Sequence, residues 1–338
     1  MTDTTVQSLK TTRTEEKSFF KRISLENLQI GGLALVIMLF GIFVQINFPI
    51  FLSAQNINVM FVNFLPEAII ALGMTIVIIT AGIDLSVAGI YPFAAIIVGK
   101  LLLISGMPIP VAIVLTLIAT AIIGAINAFM SNTFRVHPFI ATLAMLLILR
   151  GVNIIITGGS PVSGFPESFE IIGRGGIEFE SFTLRYSIFI WLFLAIAIGY
   201  ALKNHRFWRL SYFIGGNRRS ARMSGVNVER YLYFVYMLSA VLAGIAGIIV
   251  ASQFNAASNS YGQNLELRVI TAVVIGGADL NGGMGSILGS MLGVLFIAMI
   301  YNAFAMSGIS TYWQDVVVGA MLLASIFLGE ILKRWRAS

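Results

Sequence analysis

The feature that most limits how this chain folds is a series of long apolar runs, each close to the length of a membrane-crossing helix. A helix needs about 20 apolar residues to cross the hydrocarbon core of a bilayer. Ten runs approach that length, at residues 30–46, 59–81, 84–104, 109–130, 138–157, 186–203, 231–251, 265–278, 284–304 and 312–332. We therefore predict an all-α fold, a polytopic transmembrane helical bundle of about ten spans. Whether the eighth run crosses fully is left open, because it is short and carries Glu266 and Arg268 near its start.

The composition supports a membrane protein and argues against an enzyme. Apolar residues make up 58% of the 338-residue chain and charged residues only 11%, more apolar surface than a soluble protein of this length can bury. The chain has no cysteine, and its two histidines are far apart, so we expect no metal site and no cofactor. The sequence contains neither a GxxxxGK[ST] phosphate-binding motif nor an evident catalytic cluster. Any energy for uphill transport must then come from another chain.

The distribution of Lys and Arg predicts the orientation, because loops on the cytoplasmic side of a membrane are enriched in both. Most of the 21 basic residues fall in inside loops if both termini are cytoplasmic. The net charge of +6 is then explained without nucleic acid as a partner. The predicted organisation is a cytoplasmic amino-terminal tail at 1–28, a transmembrane domain at 29–333 with a cytoplasmic loop at 204–230, and a cytoplasmic tail at 334–338.

A basic insert, residues 215–230 (GGNRRSARMSGVNVER), separates two of the apolar runs. Asn217 is a suitable N-cap and Gly225 a suitable residue just beyond a helix, so residues 218–224 are predicted to form about two helical turns. Two of the three arginines within this predicted helix lie in its first turn, where the helix dipole disfavours cations. This conflict favours an acceptor outside the helix. The alternative is a solvated loop that touches anionic lipid headgroups.

Two glycine-rich turns each carry an aspartate and, on the predicted topology, lie at the cytoplasmic side of the membrane. Glycines allow tight turns and close approach of helices. Each aspartate is predicted to cap the helix that follows it, and contact with a solute is the less favoured alternative. The residues of these turns are Gly82, Asp84, Gly276, Gly277, Asp279, Gly282 and Gly283.

Polar residues inside apolar runs are costly in lipid and tend to face the interior of a bundle. Amides and aromatic rings suit a sugar, which offers hydroxyl groups and apolar C–H faces. For each residue alone, an interhelical hydrogen bond or contact with lipid is the alternative. Together they are predicted to include parts of a translocation pathway. The candidates are Asn63, Phe64, Asn127, Asn153, Asn255, Asn302 and Trp313.

Three segments carry motifs with a fixed order along the chain. Residues 73–89 read GMTIVIITAGIDLSVAG, residues 274–293 read VIGGADLNGGMGSILGSMLG, and the basic insert lies between them. These segments resemble the runs GMT-x-VI-x-x-GGIDLSVG, VIGG-x-x-x-x-GG-x-G-x-x-x-G and GGN-x-x-AA-x-x-SGI-x-V of the permease subunits of bacterial ABC importers for ribose and related sugars. The resemblance covers nearly the whole chain from about residue 55.

The resemblance implies a permease subunit that carries a monosaccharide or similar small polar solute across the bacterial inner membrane by alternating access. It implies three protein partners besides membrane lipid: a cytoplasmic ABC ATPase, a second permease subunit that is identical or homologous, and a periplasmic or lipid-anchored solute-binding protein. It also implies that the ATPase holds the insert through Gly216, Asn217, Arg218, Arg219, Ala221, Arg222, Ser224 and Gly225.

The sequence departs from the family pattern at Ala81, where Gly is usual, and at residues 218–220, where an acidic residue and Ala are common. The second difference bears on which ATPase is used. Two other classes of protein are alternatives. An ion-coupled secondary transporter of a small polar solute predicts an essential buried acid such as Glu67, Asp84 or Asp315. A membrane-bound enzyme predicts a cluster of polar residues, and none is evident in the sequence.

Overall fold

The structure, a computed structural model, describes residues 25–180, 182–310 and 312–337. Most of the predicted amino-terminal tail and the last residue, Ser338, lie outside the described residues. Residues 334–337, predicted as part of a tail, continue the last helix.

The described chain is built mainly from helices, with four short strands. In order these are α1 (Leu25–Asn47), α2 (Ala54–Ile79), α3 (Val87–Leu103), α4 (Ile109–Asn132), α5 (Pro138–Thr157), β1 (Val162–Ser163), α6 (Glu167–Glu170), β2 (Gly176–Glu178), β3 (Thr183–Arg185), α7 (Tyr186–Asn204), α8 (Arg206–Gly216), α9 (Arg218–Met223), α10 (Val228–Phe254), β4 (Ala256–Ala257), α11 (Leu265–Ile275), α12 (Ile287–Met306) and α13 (Tyr312–Ala337).

Each of the ten predicted runs contains a helix, and a polytopic helical bundle is confirmed. Within the described residues, 7 helices are long and apolar enough to cross a membrane, namely α1, α2, α4, α5, α7, α10 and α12. Helix α3 has 17 residues and α11 has 11. Their lengths are about 26 Å and 16 Å, against about 30 Å of hydrocarbon. The eighth predicted run therefore forms a helix that is too short to cross alone.

The two ends of the bundle differ in their connections. Residues 158–180 and 182–185 form a cap at one end, where β1 pairs with β4 and β2 pairs with β3, both antiparallel. Residues 204–230, which contain α8 and α9, lie at the opposite end. These ends are termed the cap end and the insert end. Helices α2 and α11 run toward the insert end, whereas α10 and α12 run toward the cap end.

The chain turns back into the bundle between α10 and α11. A Cβ atom on Gly262 would lie 2.6 Å from the carbonyl oxygen of Ala88, in the first turn of α3. The ring of Tyr261 lies 6.4 Å from the ring of Tyr91, centroid to centroid. Helix α11 therefore begins inside the bundle, beside the beginning of α3. Helices that begin at this depth typically line a polar cavity, because their first peptide groups need polar partners.

Helices α2 and α10 form the centre of the bundle. In their most apolar windows, 89% of α2 and 72% of α10 is buried, against 17% in α1 and in α7. Small residues allow the central helices to approach closely: a Cβ on Gly73 of α2 would lie 2.8 Å from the Cα of Ser239 in α10. The less buried helices keep large apolar side chains on their outer faces, where lipid is the solvent.

Helices α11 and α12 pack with their backbones in contact. A Cβ on Gly293 would collide with the carbonyl oxygen of Ala272, and a Cβ on Gly276 would collide with that of Gly289. Only glycine fits at these two positions without moving a helix. Helix packing thus explains Gly276, Gly289 and Gly293, whereas Gly277, Gly282, Gly283 and Gly285 adopt positive φ in the turn between the helices.

We expect Gly293→Ala to destabilise the protein by about 1–3 kcal/mol, the usual effect of overpacking a tight interior. Gly151→Ala in α5 is the matched control, because its new Cβ would meet nothing within 4 Å and alanine is the better helix former. Thermal unfolding in detergent measures both variants. Equal melting temperatures would contradict the contact between α11 and α12.

Candidate functional site

A polar cavity of about 610 Å³ lies between the central helices and opens near the cap end. Asn56 near the start of α2 and Met306 at the end of α12 lie at its mouth, whereas Glu67 lies deeper. Asn56 and Glu67 are separated by about 16 Å of helix, roughly half the hydrocarbon thickness. Its polar and aromatic lining consists of Asn56, Asn63, Phe64, Glu67, Tyr91, Phe254, Tyr261, Arg268, Tyr301, Asn302 and Gln314.

An ion pair joins two helices at the deep part of this cavity. The guanidinium of Arg268, in the first turn of α11, lies 3.1 Å from a carboxylate oxygen of Glu67 in the middle of α2. The Glu67 side chain is 11% exposed and that of Arg268 24%. The guanidinium also lies over the ring of Tyr301, 5.7 Å from its centroid. The opposite charges balance, so the pair adds strong donors and acceptors to the wall without adding net charge.

Aromatic rings make the rest of the deep wall apolar. The rings of Phe64 and Tyr301 are 5.6 Å apart, and Tyr261 lies 6.1 Å from Phe254. Rings beside amides and a neutral ion pair give a surface with both apolar faces and hydrogen-bonding groups. Such a wall suits an uncharged solute with many hydroxyl groups and apolar C–H faces.

Paired amides close one side of the cavity mouth. The side chains of Asn56 and Asn302 exchange two hydrogen bonds, with N···O distances of 2.9 Å and 3.0 Å. Asn63 lies one to two turns deeper on α2 and is exposed to the cavity. The amide pair therefore links α2 to α12 at the mouth. Asn63 lies deeper in the cavity than this pair, where a solute can reach it.

The seven candidate pathway residues fall into two groups. Asn63, Phe64 and Asn302 line the cavity. Asn127 donates a hydrogen bond to Ser86, and Asn153 donates one to the Gly89 carbonyl, so both hold helices together inside the bundle. Asn255 accepts from the Phe165 amide and donates to Glu170 within the cap. Trp313 is 58% exposed at the start of α13 and does not line this cavity.

The three acids considered for an ion-coupled transporter have different surroundings. Glu67 pairs with Arg268, and Asp315 accepts a hydrogen bond from Asn264. Asp84 is fully buried and accepts hydrogen bonds from Ser86 and Ser239. Only Glu67 lines the cavity.

The basic insert folds as its pattern predicts. Helix α9 begins after Asn217, whose side chain accepts a hydrogen bond from the Ser220 amide, and Gly225 follows with φ of +81°. Ala221 is buried, whereas Arg219 and Met223 are exposed, Met223 by 81%. A helix that exposes a large apolar side chain together with a cation has the features of a docking element.

Two of the arginines in the insert have acceptors in the chain itself. Arg222 pairs with Glu229 at 2.6 Å, just beyond the insert helix. Arg218 donates to the carbonyl oxygens of Thr80 and Ala81, at 3.1 Å and 3.3 Å. These carbonyls follow the end of α2, where a cation is favourable to the helix dipole. The conflict seen in the sequence is therefore relieved partly within the protein.

Both glycine-rich turns meet at the insert end. The Gly283 amide donates to the Ile79 carbonyl at 2.8 Å, which links the second turn to the end of α2. Gly215 packs against the Ile79 carbonyl, and Tyr212 of α8 donates to the Gly285 carbonyl at 2.9 Å. The insert thus contacts the segments that follow α2 and α11.

The two aspartates of these turns have different roles. The carboxylate of Asp84 accepts a hydrogen bond from the amide of Ser86, which is the N-cap residue of α3, and no side chain caps that helix, so the prediction that Asp84 caps α3 is wrong. Asp279 accepts from Asn281 instead, and Ser286 caps α12 by accepting from the Gly289 amide. The prediction that Asp279 caps its following helix is wrong, because seven residues separate it from that start.

Sequence reasoning missed the two contacts that organise the site. The partnership of Glu67 and Arg268 and that of Arg218 with the end of α2 depend on tertiary packing. The signal that was available is that both Glu67 and Arg268 lie in apolar runs, where an ionised side chain needs a partner.

A sequence model of the family described as branched-chain amino acid transport system / permease component matches residues 56–326. The ribose import permease protein RbsC of Escherichia coli is 35% identical over 281 residues, which cover 83% of this chain and 87% of that relative. RbsC of Bacillus subtilis is 35% identical over 317 residues, 91% and 95% of the two chains. The galactose/methyl galactoside import permease protein MglC of Escherichia coli is 32% identical over 326 residues, 92% and 97%. No solved structure matches the chain significantly.

Ala81 adopts a left-handed backbone, with φ of +57°, in the turn that Arg218 contacts. We expect Ala81→Gly to stabilise the protein by about 1 kcal/mol, because this conformation costs a residue with a Cβ about 1–2 kcal/mol. Ala278→Gly, in the second turn, is the control and should destabilise, since Ala278 is buried and has no positive φ. Thermal unfolding distinguishes them. A lower melting temperature for Ala81→Gly than for the unmodified protein would refute this explanation.

Proposed function

This chain belongs to the family described as branched-chain amino acid transport system / permease component, and we propose that the solute it carries is a monosaccharide. The chain is a transmembrane permease subunit and a multi-pass protein of the inner membrane, with similarity to import permeases over most of its length. The relatives named for ribose and for galactose and methyl galactoside suggest the class of solute.

The observation that carries the proposal is the polar cavity that penetrates the apolar bundle. Its wall combines amides, aromatic rings and a charge-balanced ion pair, which suits a neutral polyol better than an ion. Asn63, Phe64 and Asn302 are proposed to contact the solute on its way. The contacts need only be weak, since a transported solute has to leave again.

The source of energy is proposed to be a separate ABC ATPase that binds the insert. The exposed Arg219 and Met223 supply a cation and an apolar contact, while Ala221 and Arg218 fix the helix to the bundle. A docked helix of this kind transmits a rigid-body shift. The insert end is then cytoplasmic, as are both termini, and the cap end faces outward.

Two further partners complete the proposal. One is a second permease subunit, identical or homologous, because an ABC transporter has two ATPase subunits and this chain offers one insert helix. A periplasmic or lipid-anchored solute-binding protein delivers the sugar to the cap end, where the cavity opens. Transport is proposed to follow alternating access: ATP binding moves the inserts, and the pathway then opens to the other side.

We expect the reconstituted complex to import radiolabelled ribose only when its ATPase subunit and ATP are present. Met223→Glu should abolish both co-purification of the ATPase and import, because it places a carboxylate in an apolar contact. Arg209→Glu is the control at the same end, on α8 outside the insert helix. Import that persists without the ATPase would contradict the proposal. Normal co-purification of the ATPase with the Met223→Glu variant would also contradict it.

The cavity makes a separate prediction about two asparagines. Asn63→Ala should slow import about tenfold, equivalent to about 1.4 kcal/mol of lost solute contact, and should leave the melting temperature unchanged. Asn153→Ala should lower the melting temperature and leave the import rate unchanged, because Asn153 donates a hydrogen bond to the Gly89 carbonyl inside the bundle. Import rates and thermal unfolding of both variants test this. A similar pattern for the two variants would place the pathway elsewhere.

A further inference from the structure

The insert helix α9 has two sides with different surroundings. Arg218 and Ala221 are three residues apart and therefore lie on one side of the helix. Ala221 is buried, and Arg218 is half-buried. Arg219 and Met223 are four residues apart and lie on another side, where both are exposed. One side of α9 is thus in contact with the bundle, and the other is open to a partner.

The inner side of α9 is held by a cation at the end of the central helix α2. Nη2 of Arg218 donates to the carbonyl oxygens of Thr80 and Ala81, at 3.1 Å and 3.3 Å. These carbonyls follow the last turn of α2, where unpaired oxygens and the helix dipole both favour a positive charge. Helix α2 is the most buried of the candidate spans. Arg218 therefore connects the insert helix directly to the centre of the bundle.

Helix α9 depends on contacts of its own for its direction. It meets α8 at Asn217, whose backbone is extended with φ of −162°, so α9 is not a continuation of α8. The end of α8 is fixed separately, because Gly215 packs against the Ile79 carbonyl. Arg218 supplies the side-chain hydrogen bonds from α9 to this end of α2. Its removal would leave α9 free to turn about the junction at Asn217.

The other two arginines of α9 have different surroundings from Arg218. Arg222 pairs with Glu229 at 2.6 Å, just beyond the insert helix. Arg219 is exposed and belongs to none of the ion pairs among the described residues. Arg219 is therefore the arginine of this helix whose charge is available to a carboxylate of a partner.

Two departures from the family pattern meet at the contact with α2. Ala81 occupies a position where Gly is usual, and Arg218 belongs to the segment 218–220, in which an acidic residue and Ala are common. The guanidinium of Arg218 binds the Ala81 carbonyl. An acidic side chain at position 218 would be repelled by the same carbonyls. The contact is therefore a feature of chains that carry a cation at this position.

We propose that docking and coupling are carried by different arginines of the insert: Arg219, together with Met223, binds a carboxylate-bearing groove of the ATPase, whereas Arg218 is a positioning residue that passes the movement of the docked helix to α2. This inference rests on the proposed transport function. Arg218 itself does not touch the ATPase. Without it, the docked helix turns about Asn217, and ATP is hydrolysed with little movement of the bundle.

Methionine variants of single arginines test the docking half of the proposal, since methionine keeps a long, unbranched stem and removes the charge. The probe is the ATPase subunit that co-purifies with the unmodified chain. Arg219→Met should raise its dissociation constant about tenfold at low salt, and the difference should fade at about 0.5 M salt, because salt screens an exposed charge contact. Arg209→Met, at an exposed position of α8, is the control and should leave affinity and import unchanged.

Arg218→Met should give the opposite result in the reconstituted complex with ATP. The ATPase should bind within about twofold of its normal affinity and hydrolyse ATP, while the number of radiolabelled ribose molecules imported per ATP falls about tenfold. Arg218→Lys keeps a cation at the end of α2 and should restore about half of the lost coupling. A purely structural role would lower ATP hydrolysis and import together and would leave their ratio unchanged.

Three results would overturn the division between the two arginines. They are loss of ATPase binding by Arg218→Met, a normal ratio of import to ATP hydrolysis in that variant, and unchanged ATPase affinity of Arg219→Met. Because Arg219 is exposed, its variant keeps the test decisive even where Arg218→Met lowers the yield of folded protein. Failure of the transport function is a different result, in which the unmodified complex itself imports no ribose with ATP.

Discussion

The constraint on which the whole structure depends is that peptide groups inside a bilayer must find their hydrogen bonds within the protein. Unbroken helices meet this requirement by themselves. Here the chain breaks its helices inside or close to the bundle after Ile79, before Leu265 and after Ile275. Polar partners gather at the breaks after Ile79 and after Ile275: Arg218 at the carbonyls after α2, Ser86 and Asp84 before α3, and the Gly283 amide on Ile79. The polar features of the protein are concentrated at these breaks.

The same argument explains what could be predicted from the sequence. Apolar runs locate helices because a chain inside a bilayer must satisfy its own backbone hydrogen bonds. The insert helix was predicted from its capping residues, Asn217 and Gly225. Both signals are local. The eighth run was recognised as short, and its helix of 11 residues begins inside the bundle. The sequence does not reveal that the segment before this helix turns inward to contact α3. This turn depends on the packing of Gly262 and Tyr261 against α3, which is distant in sequence.

The site was less predictable than the fold for a related reason. An asparagine within an apolar run signals a polar contact but not its partner. Asn63 lines the cavity, whereas Asn153 bonds a backbone carbonyl, although each follows a valine within an apolar run. Charged residues were more informative. An ionised side chain within an apolar run needs a partner of opposite charge, and Glu67 and Arg268 form an ion pair with each other.

The depth of the cavity has an electrical consequence. A polar space that reaches Glu67 brings the potential of the solution at the cap end about half-way across the membrane, so the voltage falls mainly over the sealed layer between Glu67 and Ile79, about 18 Å of helix. A membrane potential of 100 mV is worth about 2.3 kcal/mol for each elementary charge that crosses such a layer. An uncharged solute crosses such a layer without electrical work, whatever the membrane potential, whereas an ion does not.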